Sequence, residues 1–489
     1  MTRREVELLA VGAGPSNLGL AVALEELAPD LAENSLIIDR NQAIEWQPGM
    51  LLPWATSQVS FLKDLVTLRN PRSRFTFLNF LKSTGRLDGF INLGSLAPYR
   101  IEISAYLDWV ARSLATVPVE LGCNCVRIEP SRDASGTLTG WVATLADGSS
   151  ITSRYLVIGT GRDPNIPPVL ADLPASRVVH STRYRPAVAG LSKQIPYRVA
   201  LIGSSQSAAE VFRALRSDLP DSDVAWVMRS IGPTADPSSK FTNEHYYPSY
   251  IDEFFDTPAE GRERIRRELY RTNYSCITPP TLLALYTDLY RDRLDHRDDR
   301  RLITMTDLTA AREEDGEVIL ELTDRRTGDV TVLRRDLVFL GTGFDWRTPR
   351  LIQALADSIG LDDVEVTRRY RLVVDEPAEA ACYLQGVNEA THGISESLLS
   401  VLAHRAKDIT LDILAHRAGP GHAPARNGVA GNGTAGTAGA AGNATAGNAT
   451  ARNGKPRDGK AQDGTARTAG WRPAAPPFPA VSPVESHSL

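Results

Sequence analysis

Two stretches of the chain carry the same arrangement of apolar and polar positions. In VELLAVGAGPSNLGLAVALEELAP (6–29) a β-patterned apolar run stops at Gly12-Ala13-Gly14-Pro15-Ser16-Asn17, and Leu18, Leu20, Ala21, Val22 and Leu24 then follow at helical spacing. In YRVALIGSSQSAAEVFRALRSDLP (197–220) the run ends at Gly203 and the helical pattern covers Ala208 to Leu215. Each predicts a buried strand, a tight turn and a helix, the unit that binds a dinucleotide. Two further apolar runs, YLVIGTGRDPNIP (155–167) and LVFLGTGFDW (337–346), each end in Gly-Thr-Gly. They are expected to return the chain to the first sheet, with glycines that let a flavin approach closely.

The expected fold class is therefore α/β, with two Rossmann-like dinucleotide-binding domains, the second inserted in the first, and a small substrate-binding region. The expected boundaries are 1–190 and 331–416 for the first domain and its return segment, 195–330 for the second, and 417–489 for a disordered low-complexity tail. From about Pro420 the sequence turns to repeats such as GNGTAGTAGAAGNATAGNAT, too poor in large apolar residues to offset the entropy of ordering. Its N-x-T triplets are sequons by pattern only.

The glycine turns carry chemistry. A pyrophosphate needs backbone amides and the positive end of a helix dipole, and Gly12 and Gly14 leave room for it; Asn17 replaces the third glycine. Asp39, ending SLIIDR, stands where an acid holds a ribose. The second turn has Ser205 where a second glycine is expected, and Arg229, after DVAWVM, suits the 2′-phosphate of NADP rather than the hydroxyl of NAD. Lys63 lies inside the apolar run FLKDLVTL, either waiting for an anionic ligand or paired with Asp64 or another carboxylate.

Composition narrows the field. With 489 residues, 42% hydrophobic, 23% charged and a net charge of -5, the chain has room for two or more domains and no bulk charge aimed at nucleic acid or an anionic membrane. No apolar run of about 18 residues predicts a membrane span, and the N-terminus reads as a strand rather than a signal peptide, so a cytoplasmic location is expected. The four cysteines, Cys123, Cys125, Cys276 and Cys382, form no C-x-x-C pair, which weighs against a dithiol oxidoreductase and a metal site.

The motifs VGAGPSNLGLAVAL, WQPGML, SQVSFLKDLVTLRNPRSRFTFLNFL, INLGSLAPYRIEISAYLDWVA, GSSQSAAEVF, KFTNEHYYPSYIDEFF, RTNYS and THGISESLLSVLAHRA span about 11 to 407. Together they resemble the flavin monooxygenases that N-hydroxylate the terminal amine of L-ornithine or L-lysine for hydroxamate siderophores. The resemblance implies FAD, reduction by NADPH, and O2 activated as a flavin C4a-hydroperoxide. It places Lys63 against the α-carboxylate of the substrate, with Asn243, Asn273 and Ser400 around the amino acid. It places Pro15, Ser16, Gln58, Arg100 and Leu399 with the turn residues and Asp39 at FAD. It places Gln206, Ser207, Asn273, Tyr274 and Arg229 with Gly203 at NADP, and His392 beside the flavin unless it merely caps a turn before Gly393. Family members often carry methionine where this chain has Ser57. The motifs look closer to the ornithine branch than to the lysine branch; lysine or a diamine is the runner-up, and a silent nucleotide-binding regulatory protein is the reading from another class. The resemblance also implies a homo-oligomer, often a tetramer.

Overall fold

The computed structural model describes residues 3–419. Strands β1 (Arg3–Val11), β2 (Ser35–Asp39), β3 (Val119–Leu121), β4 (Cys125–Arg132), β5 (Leu138–Leu145) and β6 (Ser150–Ile158) form a first sheet in the order β3-β2-β1-β6-β5-β4. β1 runs parallel between β2 and β6, with Leu8 beside Ser35 and Tyr155. Leu8, Ala10 and Ile37 enter one buried cluster while Leu9, Leu36 and Ile38 enter another on the opposite face. A strand covered on both faces needs apolar residues at every position, which is why LLAV is unbroken.

β7 (Val178–His180) opens a second sheet, to which β8 (Arg198–Ile202), β9 (Asp223–Val227) and β10 (Arg300–Ile303) belong. An antiparallel meander of β11 (Thr306–Glu314), β12 (Glu317–Asp324) and β13 (Val330–Arg335) follows. β14 (Leu337–Leu340) then slots between β8 and β7, giving the all-parallel order β10-β9-β8-β14-β7. Finally β15 (Ala381–Leu384) pairs with the C-terminal half of β6. The second sheet is thus inserted between β6 and β15 of the first.

Two expectations change here. The run 337–346 does not return to the first sheet; that strand is β15, whose ACYL is followed by Gln385-Gly386 rather than by the Gly-Thr-Gly of the other two runs. The second sheet accordingly spans 178–340 rather than 195–330. The expected disordered tail and its sequons lie, from residue 420 on, outside the described residues.

The helices that place the site are α1 (Pro15–Leu27), α2 (Arg100–Ser113), α3 (Gln206–Asp218), α4 (Pro279–Leu294) and α5 (Leu402–Arg417). α1 packs along α5, and α2 shares an aromatic cluster with Phe77, Phe80 and Phe90. No described helix is long and apolar enough to cross a membrane.

Candidate active site

Each glycine turn sits at the C-terminal end of a central strand, where neighbouring strands lead the chain in opposite directions and a crevice opens. In the first, Gly12 has φ 99°, and a Cβ on it would stand 2.7 Å from the carbonyl oxygen of Gly159. In the second, Gly203 has φ 130°, and a Cβ would meet the Gly341 oxygen at 2.2 Å. The two Gly-Thr-Gly segments therefore buttress the two turns: Gly159 abuts the Asn17 side chain, and Gly341 abuts Ala208. Gly159 and Gly341 are thus kept small by close packing, whereas a Cβ on Gly161 (φ 74°) or Gly343 (φ 72°) would meet nothing within 4 Å.

The first turn fits a dinucleotide. Gly14 caps α1 with extended backbone, and a Cβ there would meet nothing within 4 Å, an open cradle at a helix N-terminus. Pro15 begins the helix without needing its missing N–H. Asn17 does more than start a helix: its Nδ2 donates to the oxygens of Val11 (3.0 Å) and Gly12 (2.8 Å), and its Oδ1 accepts from Gln385 (2.8 Å). Asp39 Oδ2 accepts from the Ala13 amide at 2.6 Å, and a carboxylate retains further lone pairs for a ribose hydroxyl.

Beneath this turn lies a network that the sequence reading missed. Arg405 and Glu396, 1% and 0% exposed, form an ion pair at 2.8 Å. Arg405 also donates to Gln385 Oε1 (3.0 Å) and to Ser16 Oγ (2.8 Å), while Glu396 accepts from the amides of Gly386 (2.8 Å) and Asn388 (3.0 Å). Ser16 Oγ accepts this bond and keeps its own O–H to donate. The available signal was the same as for Lys63: charged residues inside the apolar stretch ISESLLSVLAHRA.

Lys63 is half-buried, and desolvation lowers its pKa. Its Nζ donates to Ser400 Oγ at 3.1 Å, and no described ion pair includes it. Asp64 is not its partner. That carboxylate accepts instead from the amides of Val66 (2.9 Å), Thr67 (2.6 Å) and Phe77 (2.7 Å) and from the Thr67 hydroxyl (2.7 Å). Its four acceptor sites are filled, which leaves the ammonium beside it electrostatically unanswered. Leu399 joins Lys63, Phe61 and Tyr106 around a narrow cavity of about 20 Å³.

Asn243, on the short helix Lys240–Glu244, is exposed, and Asn273, after the turn Tyr270–Thr272, is half-buried. The segments bearing them are tied together by Tyr246 Oη to Thr272 Oγ1 (2.5 Å) and to the C-terminal motif by Tyr274 Oη donating to Glu389 (2.5 Å). Neither asparagine side-chain amide has a hydrogen-bond partner among the described residues, Lys63 included. Gln58 is exposed beside buried Ser57, whose Oγ accepts from the Val59 amide at 3.1 Å.

Around the second turn, Ser205 caps α3 in the same extended conformation as Gly14 but brings a side chain to that position, and its hydroxyl donates to the Gly341 oxygen at 3.2 Å. Ser207 lies in the first turn of the helix with its Oγ 3.3 Å from that of Ser205. Arg229, just past β9, is exposed, and its guanidinium has no partner among the described residues. Tyr274 packs edge-on against Trp346 with ring centroids 4.7 Å apart.

Three of the implied site residues have partners within the chain. Arg100, buried, is bound bidentately to buried Glu210 of α3 at 2.7 and 2.6 Å, so its charge joins the two sheets' helices rather than standing free at a flavin. Gln206 spends its amide on Glu210 (2.8 Å), Thr281 (3.0 Å) and the Thr278 amide (2.9 Å), leaving little for NADP. His392 is buried, stacked on Tyr370 at 4.1 Å, and hydrogen-bonded through Nε2 to the Arg368 oxygen at 3.1 Å. Burial lowers its pKa to about 4, which keeps the ring neutral near pH 7. The thiols are equally inert, burial pushing Cys125 and Cys276 up to about 11.

The chain matches, over residues 4–346, the family described as L-lysine 6-monooxygenase/L-ornithine 5-monooxygenase. It belongs to that family. The L-ornithine N(5)-monooxygenase of Pseudomonas aeruginosa is 35% identical over 418 residues, covering 84% of this chain and 94% of the relative. The ornithine N-hydroxylase of Kutzneria sp. 744, solved with reduced FAD, NADP+ and L-ornithine, has TM-score 0.79 and 32% identity, covering 84% of this chain and 100% of its own. The L-lysine 6-monooxygenase of Pseudomonas syringae has TM-score 0.74 and 28% identity, covering 84% and 99%. As a member of this monooxygenase family, the chain uses FAD and NADPH.

Proposed function

We propose that this protein is an FAD- and NADPH-dependent L-ornithine N5-monooxygenase acting in the cytoplasm, its product N5-hydroxyornithine serving hydroxamate siderophore or related peptide assembly. The net reaction consumes the amine, O2, NADPH and a proton, and yields the hydroxylamine, NADP+ and water. The observation that carries the reading, beyond family membership, is the half-buried Lys63 ammonium with a hydroxyl partner and no carboxylate.

FAD, reduced by NADPH, supplies the activated oxygen; the chain binds, orients and excludes water. Gly14, Ser16, Asp39 and the N-terminus of α1 hold the FAD pyrophosphate and ribose, and Ser207 and Arg229 hold NADPH. Lys63, pinned by Ser400, takes the α-carboxylate of the amino acid. The free amides of Asn243 and Asn273 accept from or donate to the substrate without adding charge. The side-chain amine reacts only when unprotonated, and low-dielectric surroundings favour that neutral form.

The Lys63 ammonium favours an α-amino acid over a diamine, which has no carboxylate to pair with it. L-lysine is the second reading, because one methylene is worth only about 1–3 kcal/mol in a pocket. The test is product formation: hydroxylamine should accumulate with NADPH and O2 faster from ornithine than from lysine, and least from putrescine or cadaverine. No hydroxylated product from any of the four defeats the proposal.

A further inference from the structure

Two buried carboxylates stand in the segment 389–400, and they are served differently. Glu396 is neutralised by Arg405. Glu389, 2% exposed, is in no ion pair among the described residues. Its Oε1 accepts instead from two hydroxyls, that of Tyr274 at 2.5 Å and that of Ser397 at 2.6 Å. Burial raises the Glu389 pKa, opposed by those two hydroxyls and by the charge of Arg162. A desolvated carboxyl so thinly compensated burdens the fold, and groups of this kind gather at functional sites.

What Glu389 holds is a turn under strain. The Tyr274 ring packs against Tyr270 and Trp346, with centroids 5.3 and 4.7 Å away. Arg162 in turn lies 5.2 Å above the Trp346 ring and donates to the oxygens of Trp346 (3.1 Å) and Val387 (3.0 Å). Both Gly-Thr-Gly runs therefore lead to this tyrosine. Next to it Ser275 has φ 59°, a left-handed conformation that a residue with a Cβ keeps only where its surroundings over-determine it. On its other side is Asn273, with its free side-chain amide. The segment 389–400 also reaches the opposite anchor, because Ser400 accepts from Lys63 Nζ at 3.1 Å. Between the two ends, Ile394 and Leu398 pack with Tyr246, Leu269 and Tyr274.

We propose that Glu389 is a positioning residue for the amino-acid substrate: through Tyr274 Oη it holds the turn 272–275 so that the Asn273 amide is in place before the substrate arrives. This rests on the reading of Asn273 as a substrate contact. With the anchor removed, the strain at Ser275 relaxes and the turn occupies its binding-competent form for only part of the time. A competent fraction of about one tenth weakens apparent affinity about tenfold. The bound geometry is unchanged, so the rate at saturation is kept.

The test is L-ornithine binding to the NADP+-loaded holoenzyme by calorimetry, beside kcat and KM for hydroxylamine formation. Glu389→Leu should weaken binding and raise KM about tenfold, with kcat within about twofold of wild type and FAD content unchanged. Glu389→Gln, whose amide oxygen still accepts from both hydroxyls, should restore most of the affinity. Tyr274→Phe keeps the ring and loses only the hydroxyl, so it should match Glu389→Leu, and the double variant should be no worse than either single one. Wild-type affinity in Glu389→Leu or Tyr274→Phe, additive losses in the double variant, or a fall in kcat with affinity unchanged overturns the proposal. A wild type that neither binds ornithine nor forms hydroxylamine removes the substrate reading, and this inference with it. Should Glu389→Leu fail to fold, Tyr274→Phe carries the same expectation, and wild-type affinity in that variant overturns it.

Discussion

Replacing Lys63 by methionine keeps most of the aliphatic stem and removes the ammonium. In the free protein this leaves only the Ser400 hydroxyl without its 3.1 Å partner, so folding should suffer little and the loss of a desolvated charge even helps. The bound state is different, because the substrate carboxylate loses its counter-charge. A hydrogen bond to a charged group is worth about 1.5–3 kcal/mol, and at about 1.4 kcal/mol per decade the KM for ornithine should rise about 10- to 150-fold. NADPH-driven flavin reduction, followed by loss of the yellow absorbance without oxygen, should stay close to wild type. Because desolvation lowers the Lys63 pKa, ornithine affinity in wild type should decline on the alkaline side earlier than for an ordinary lysine, and the methionine variant should lack that limb. An unchanged KM, or flavin reduction impaired as much as ornithine binding, would refute the assignment and make Lys63 a structural residue.

Three other outcomes follow from the same geometry. Arg229→Ala should narrow the preference for NADPH over NADH by about tenfold; an unchanged ratio of kcat/KM values for the two cofactors removes the 2′-phosphate role. Glu210→Gln should cost about 3–5 kcal/mol by stranding buried Arg100, whereas Arg100→Met/Glu210→Leu should recover most of it in denaturant melts. His392 has a folded pKa of about 4, below its unfolded value of about 6.5. Its contribution is therefore complete above pH 6.5 and drains away as pH falls toward 4, a loss of about 3 kcal/mol that His392→Gln should lack.

The parts of the fold written as unbroken local patterns were legible: β1 and β8, both glycine turns, and the helices after them. What escaped was whatever depends on pairing across long separations. The run 337–346 looks like 155–167 because both buttress a glycine turn, and only the sheet register shows that they buttress different ones. β15 is only four residues long and is followed by Gln385-Gly386 instead of Gly-Thr-Gly, so it does not match the pattern of the other two runs. In the site, Lys63 stood out as a cation in an apolar run, yet whether Asp64 neutralised it depended on four donors that the loop 66–77 wraps around that carboxylate. Arg100 and Gln206 were assigned by likeness to nucleotide contacts, and their capture by Glu210 required knowing that α2 and α3 meet.

The tie between Ser16, Gln385, Glu396 and Arg405 has a consequence for biosynthesis. The first glycine turn is among the first segments to leave the ribosome, but the residues that brace it are translated nearly four hundred codons later. Flavin capture should therefore be a late, post-translational event, and a polypeptide stopped short of its last described helix would emerge colourless however well its early strands had folded.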